Sequence, residues 1–378
     1  MDIYQKALDE HKRLKGKISI SLRATPDSQE ALSTFYSPGV GEVSRVIAKD
    51  PSLLSTYTWT NNLVAVISDG SSVLGLGDIG PEGAMPVMEG KAMLFKHFAG
   101  VDAVPIVLDV HEPDEIVSAI KAISKSFGAI NLEDISAPKC FEIEERLIAE
   151  LDIPVMHDDQ HGTAIVVLAG LINAMKVVGK KLDQCRIVLI GAGSAGTAIA
   201  HLLEIYSKPE IIAVDTKGAI TSDRPDLTPS KQYLASLNLL APGRAYSLHD
   251  ALIGADVVIG VSKAGMLSPE DIKVMNDNAI VFALANPEPE IMPELALSAG
   301  AAIVATGRSD FPNQVNNVLA FPGIFRGALD NGVKEINVDH KIAAAMAIAS
   351  LVPNPSPTEI IPNPLNPKVA SAVASVIR

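Results

Sequence analysis

Cysteine is nearly missing from these 378 residues, which carry only Cys140 and Cys185. Two isolated thiols give neither a disulfide framework nor the paired spacing of a zinc ribbon, and a reducing cytoplasm is the expected compartment. Cations are the minority charge: 31 Lys and Arg against 44 Asp and Glu leave a formal net charge of −13. Nucleic acid is thereby excluded as the expected partner, because a phosphate backbone demands clustered Lys and Arg. A small anionic substrate is not excluded, since a local site need not follow the overall sign. Long apolar runs are absent too. The longest, residues 164–172, falls short of the roughly 20 residues that cross a bilayer. The opening Met1-Asp2-Ile3-Tyr4-Gln5-Lys6 lacks the apolar core of a signal peptide. No membrane partner and no internal repeat are expected.

Against those gaps stand 48% hydrophobic and 20% charged residues in a chain too long for one ordinary core, which predicts a packed two-domain protein. The stretch Val155-Met156-His157-Asp158-Asp159-Gln160-His161-Gly162-Thr163-Ala164 is the expected hinge. An apolar strand ends there in two carboxylates, and a long apolar helix begins. Residues 1–161 read as one domain, 162–316 as a second, and 317–378 as a segment returning to the first. One aspartate at such a point is explained as a helix N-cap. Two, flanked by His157 and His161 at a domain junction, also fit a small-molecule site.

Before the hinge, Tyr36-Ser37-Pro38-Gly39 forces a turn with Tyr36 at its edge, where packing and chemistry are both open readings. The glycine-rich passage 70–80 lacks the helix and spacing of a phosphate-binding fingerprint and reads as tight turns. A helix is expected to open at Pro86, placing Val87, Lys91, Leu94 and Phe98 on one face. Lys91 interrupts that apolar stripe. Burial would lower its pKa and make it a neutral base; the alternative is a lysine snorkelling from the stripe's edge.

Strands at 103–110, 129–132 and 153–156 alternate with helices, which predicts a covered, mostly parallel sheet with ligands beyond its carboxyl ends. Two of these strands lead into Glu133-Asp134 and Asp158-Asp159. Converging carboxylates repel unless a cation lies between them, and an all-oxygen set selects Mg²⁺ or Mn²⁺. Zinc on His157 and His161 is the competing reading, although aspartate stands where the zincin motif has glutamate and the helix is only beginning.

Residues 186–190 read as a strand running into Gly191-Ala192-Gly193-Ser194-Ala195-Gly196, followed by an alanine-rich helix and a second strand ending at Asp215, 19 residues beyond Gly196. Strand, glycine pattern, helix, strand and carboxylate together predict a doubly wound dinucleotide-binding domain. Gly191, Gly193 and Gly196 let the backbone approach a pyrophosphate at the start of the helix, where Ser194 and Ala195 stand. Asp215 is placed to bond the adenosine ribose hydroxyls. Later strand ends offer Ser262, Asn286 and Asn316-Asn317 towards the nicotinamide half. Six prolines between Pro353 and Pro367 predict an extended strap before a short final helix.

The Tyr-Ser-Pro-Gly-Val block at Tyr36, the Glu-Gly-Lys-Ala block at Lys91, Asn131-Leu132-Glu133-Asp134-Ile135, the hinge, and Gln314-Val315-Asn316-Asn317 follow one another in the order found in the malic enzymes. The chain resembles the short bacterial and archaeal form of that family from about Phe35 onwards. The resemblance implies an α/β fold that joins a Rossmann domain to a substrate- and metal-binding domain. It implies oxidative decarboxylation of (S)-malate to pyruvate and CO₂ with NAD(P) and Mg²⁺ or Mn²⁺. By the same resemblance Glu133, Asp134 and Asp159 bind the metal, with Asp158 assisting beside it. Lys91 is the general base, Tyr36 the acid that protonates the enolate, and Asn286 and Asn317 hold malate. One position departs: Ser72 stands where longer members carry an arginine for the substrate carboxylate. NAD is expected to be preferred because Asp215 would repel the 2′-phosphate of NADP, with Lys217 keeping NADP usable. A homodimer or higher homo-oligomer is expected. Another metal-dependent β-decarboxylating hydroxyacid dehydrogenase and a non-catalytic dinucleotide sensor are the competing readings.

Overall fold

The computed structural model describes residues 3–378, so Met1 and Asp2 of the opening segment lie outside the described residues. Two sheets organise the mixed α/β chain. The first holds β1 (Leu63–Ser68), β2 (Asp102–Val107), β3 (Ala129–Leu132) and β4 (Val155–His157), all parallel, in the order β2-β1-β3-β4. The second holds β5 (Arg186–Ile190), β6 (Glu210–Asp215), β7 (Gly218–Ala219), β8 (Val257–Gly260), β9 (Ile280–Ala283) and β10 (Ile303–Thr306). Its order is β10-β9-β8-β5-β6-β7, antiparallel only at the β6–β7 edge.

Side chains alternate across a strand, and here both faces are apolar. Ile187 and Leu189 of β5 join one core cluster while Val188 and Ile190 join another. Val64 and Val66 of β1 likewise part from Leu63, Ala65 and Ile67. Sheets apolar on both faces must be covered on both by helices. The cluster containing Val64 and Ile187 runs through both sheets, so one continuous core fixes them against each other.

Through that core passes the junction helix, Asp158–Val178, whose first two residues are the two aspartates. Acidic groups in a first turn face the positive end of the helix dipole. It ends at Gly179, whose φ of +70° closes the helix in the left-handed region. With 21 residues it is long and apolar enough to cross a membrane, but 67% of its most apolar window is buried within the protein.

The helix carrying Lys91 spans Gly80–Ala99 and begins before the expected Pro86. Pro81 supplies the preset φ of the first turn. Pro86 sits inside, where its missing N–H leaves the preceding turn one donor short. Its buried stripe is Ala84, Met88, Lys91, Ala92 and Phe95; Val87, Leu94 and Phe98 are only partly buried beside it. Helices Phe321–Asn331, Val338–Ser350 and Lys368–Ala374 bring the chain back to this region. Phe321 and Phe325 meet Phe95 edge-on at centroid distances of 4.7 and 5.3 Å. The proline-rich strap is pinned by Asn313, which donates to the Pro357 carbonyl at 2.8 Å and accepts from the Ile360 N–H at 2.9 Å.

Candidate active site

Because β3 and β4 are neighbours, their carboxyl ends deliver Glu133-Asp134 and Asp158-Asp159 to one spot. Ligand oxygens of Glu133, Asp134 and Asp159 lie within 4.8 Å of one another. The Asp134 N–H donates to Asp159 Oδ2 at 2.7 Å, and Asn131 Nδ2 donates to Glu133 Oε2 at 2.8 Å. Asp134 Oδ2 is buried with no protein partner. Three convergent carboxylates, one holding an orphaned oxygen, fit a hard divalent cation.

The electrostatics agree. Burial, then repulsion from Asp159 and Glu133, pushes Asp134 up to about 9. Burial raises Glu133 to about 7 and Asp159 to about 6 against the pull of Lys91. A carboxyl with a raised folded value binds more protons folded than unfolded, so the metal-free protein loses stability as pH climbs between about 4 and about 9. A cation relieves that repulsion and competes with those protons. Mn²⁺ is therefore expected to raise the thermal midpoint more at about pH 8 than at about pH 6. Thermal scans with and without Mn²⁺ check this, and an equal shift at both values would contradict it.

Lys91, 7% exposed, places Nζ 2.6 Å from Asp158 Oδ2, 2.8 Å from Glu133 Oε1 and 4.3 Å over the Phe321 ring. Burial alone would lower its pKa, as the sequence led us to expect. The structure corrects that expectation: Asp158, Glu133 and Asp159 outweigh burial and hold the ammonium above the usual lysine value. Nor does Lys91 snorkel. Asp158, pushed up to about 7 chiefly by burial, also accepts a 2.6 Å bond from Asn317 Nδ2. It faces lysine and asparagine rather than the carboxylate cluster, and it caps nothing, since the N-cap is His157 without a side-chain bond.

The histidines do not converge. His161 Nε2 meets Glu144 Oε2 at 2.9 Å and its Nδ1 lies 3.1 Å from Lys341 Nζ. His157 is fully buried, held neutral by burial, with Nε2 3.8 Å from Asp159 Oδ2. Among the described residues the metal-sized cluster is the all-carboxylate one, and the zinc reading falls.

At the other wall, Gly191 takes φ +120°, and a Cβ on Gly196 would stand 1.9 Å from the Gly191 carbonyl oxygen. A Cβ on Gly193 would meet nothing within 4 Å, so its backbone faces open space as a pyrophosphate cradle requires. Ser194, Ala195, Ser262 and Asn286 line the same cleft of about 760 Å³ as Lys91, Glu133, Asp134, Asp159 and Asn317.

Two expected residues are placed differently. Tyr36 is 73% exposed and is not among the cleft residues. Asp215 ends β6 as expected, but its carboxylate is filled. Arg224 clamps both oxygens at 2.9 and 2.8 Å, Lys231 adds 2.7 Å, and the Lys217 N–H adds 2.8 Å. The Lys217 ammonium itself goes to Asp226 Oδ2 at 2.8 Å.

Sequence reasoning missed Glu144 and Glu290. Buried Glu144 accepts from the His157 N–H at 2.7 Å and from Gln160 at 3.1 Å, fixing the start of the junction helix. It shares a face with Cys140, Ile143 and Leu147, so the same broken-stripe signal that singled out Lys91 was present. Glu290, fully buried, ties the loops after β8 and β9 by accepting from Ser262 N–H at 2.9 Å and Ala285 N–H at 3.0 Å. No spacing announces it among the prolines of 287–293.

A doubly wound dinucleotide domain sharing one cleft with a buried lysine and a carboxylate cluster defines a dinucleotide-dependent oxidoreductase. Comparison with known proteins narrows the class. The malic enzyme N-terminal domain matches residues 15–148, and the malic enzyme NAD-binding domain matches residues 160–376. A bifunctional malic/malolactic enzyme of Bacillus subtilis is 51% identical, covering 100% of this chain and 92% of that one. An NAD-dependent malic enzyme of Geobacillus stearothermophilus is 54% identical over 96% of this chain and 76% of its own. The crystal structure of a malic enzyme from Pyrococcus horikoshii superposes with a TM-score of 0.95 at 50% identity, covering 100% of this chain and 90% of that one. The chain belongs to the malic enzyme family.

Proposed function

We propose that the chain oxidatively decarboxylates (S)-malate to pyruvate and CO₂, using NAD(P) and Mg²⁺ or Mn²⁺. The observation that carries the reading is the Lys91–Asp158 pair set against Glu133, Asp134 and Asp159 in the cleft that the glycine loop enters. NAD(P) supplies the hydride acceptor, and a divalent cation held by the three carboxylates supplies the Lewis acidity that an enolate needs. Lys91 accepts the C2 hydroxyl proton after giving up its own, and Asp158 Oδ2, 2.6 Å away, is the group placed to take it. Asn317 holds Asp158 in place for that exchange and, with Asn286, orients malate. Residues 1–161 and 317–378 build the substrate half and residues 162–316 the cofactor half.

Tyr36 remains our candidate acid, reached through a second copy of the chain. Helices Ile3–Leu14, Gln29–Phe35 and Val40–Lys49 bury no residue, and Leu32, Phe35, Tyr57 and Trp59 are exposed, as is Tyr36. An apolar face of this kind marks an interface, and we place it against the partner's cleft in a two-fold dimer, where each copy would give and receive the same contact. NAD serves ahead of NADP, because Asp215 and Asp226 still oppose a 2′-phosphate; Arg224 and Lys231 keep NADP usable.

Following NADH and NADPH formation from malate, with and without Mn²⁺, tests the function, and no malate-dependent reduction of either cofactor would sink it. Mixing Tyr36→Phe and Lys91→Ala proteins tests the shared site. Subunit exchange is expected to restore roughly a quarter of wild-type activity, since half the dimers are mixed and each gains one complete site. Mixtures that exchange subunits yet stay inactive would return Tyr36 to a packing role.

A further inference from the structure

We propose that Lys17 is the cation that receives the substrate carboxylate lying beyond the metal-binding carboxylates, an inference that rests on reading the cleft as a malate site. A charge count motivates it. Glu133, Asp134, Asp158 and Asp159 bring four negative charges and Lys91 one positive. A divalent cation leaves that set one negative charge in excess, and a dicarboxylate adds two more. The nicotinamide's positive charge disappears as hydride arrives, so it cannot hold the second carboxylate throughout the reaction. In a partly desolvated cleft an unpaired carboxylate is costly.

Among the described residues lining the cleft, the side chains able to carry positive charge are His11, Lys17 and Lys91. Lys91 is committed to Asp158 and Glu133, and His11 Nδ1 is bonded to the Ala7 carbonyl of its own helix at 2.7 Å. Lys17 differs: its hydrogen bond goes to the neutral carbonyl of Pro86, at 2.6 Å. An ammonium has three N–H donors, so the Pro86 bond leaves two for an anion; the Glu89 carboxylate acts on Lys17 through space without forming an ion pair with it. Lys15 and Gly16, at φ +56° and +119°, turn the chain after the first helix and lay Lys17 on the helix that carries Lys91. Lys17 Nζ lies over Gly90, where an added Cβ would stand 4.0 Å from it. Partial burial already draws the Lys17 pKa below its usual value, so part of the water that an incoming carboxylate must displace is gone.

The test compares wild type, Lys17→Gln and Lys17→Arg, each loaded with Mn²⁺, by calorimetric titration with malate and with oxalate, alongside malate KM and kcat. Oxalate can place both its carboxylates on one cation and has none to spare. We expect Lys17→Gln to weaken malate binding and raise its KM at least about tenfold, the scale of one charge-assisted hydrogen bond. Oxalate, Mn²⁺ and NAD binding should stay unchanged, and Lys17→Arg should recover most of the loss. Unaltered malate binding in Lys17→Gln, or an equal loss for oxalate, overturns the role of Lys17. A wild-type protein that binds no malate overturns the malate reading, and this proposal with it.

Discussion

Lys91→Ala is expected to cut malate turnover at least about a hundredfold, the usual cost of a lost acid–base group, while NAD affinity changes little. The Lys91 ammonium bonds to Asp158 and Glu133 and not to the glycine loop that would hold the pyrophosphate, so binding and chemistry should separate. The substitution also strands Glu133 and Asp158, two buried carboxylates whose counter-ion lies within 2.8 and 2.6 Å. Removing one member of a buried pair is strongly destabilising, and the metal-free variant should melt earlier than wild type. NAD titration by fluorescence beside steady-state kinetics reads both effects. Near-normal turnover would remove Lys91 from the mechanism.

Asp159→Asn is expected to abolish measurable turnover and to weaken Mn²⁺ binding by at least about a hundredfold. The amide oxygen can still accept the Asp134 N–H that now lies 2.7 Å from Asp159 Oδ2, so the backbone around the cluster should keep its shape. What disappears is charge, and a neutral oxygen is a poor ligand for a hard dication. Titration by Mn²⁺ paramagnetic signal separates this from a folding defect. An unaltered titration would make the cluster a set of buried carboxylates without a resident ion.

How much of this was legible depends on how local each signal is. The glycine loop was readable because strand, loop, helix and carboxylate fall within one short span, and the carboxylates because two strand ends each carry a pair. Lys91 was readable as a break in an apolar stripe. Its charge state was not, since that depends on Asp158 and Glu133, 67 and 42 residues away in sequence. The saturation of Asp215 by Arg224 and Lys231 arises from a loop and a helix start whose fold no spacing predicts. One helix start was misplaced. The proline signal was taken at Pro86, which lies inside its helix because Pro81 already provided the opening turn.

The junction helix couples the carboxylate cluster to packing in a way that constrains how this chain can change. Asp158 and Asp159 occupy its first two positions, and Ile165, Leu168 and Leu171 lock the same helix into the core. Inserting or deleting one residue between them would turn the carboxylates by about 100° relative to that locked face and shift them by about 1.5 Å. Gly162 adds a steric stop, since any side chain there would meet Asp158 Oδ1 at 1.9 Å. Length variation accumulated over evolution should therefore gather in the loops on either side of this helix. Within residues 158–171 the spacing sets the carboxylates against the core and is inherited intact or lost together with their cluster.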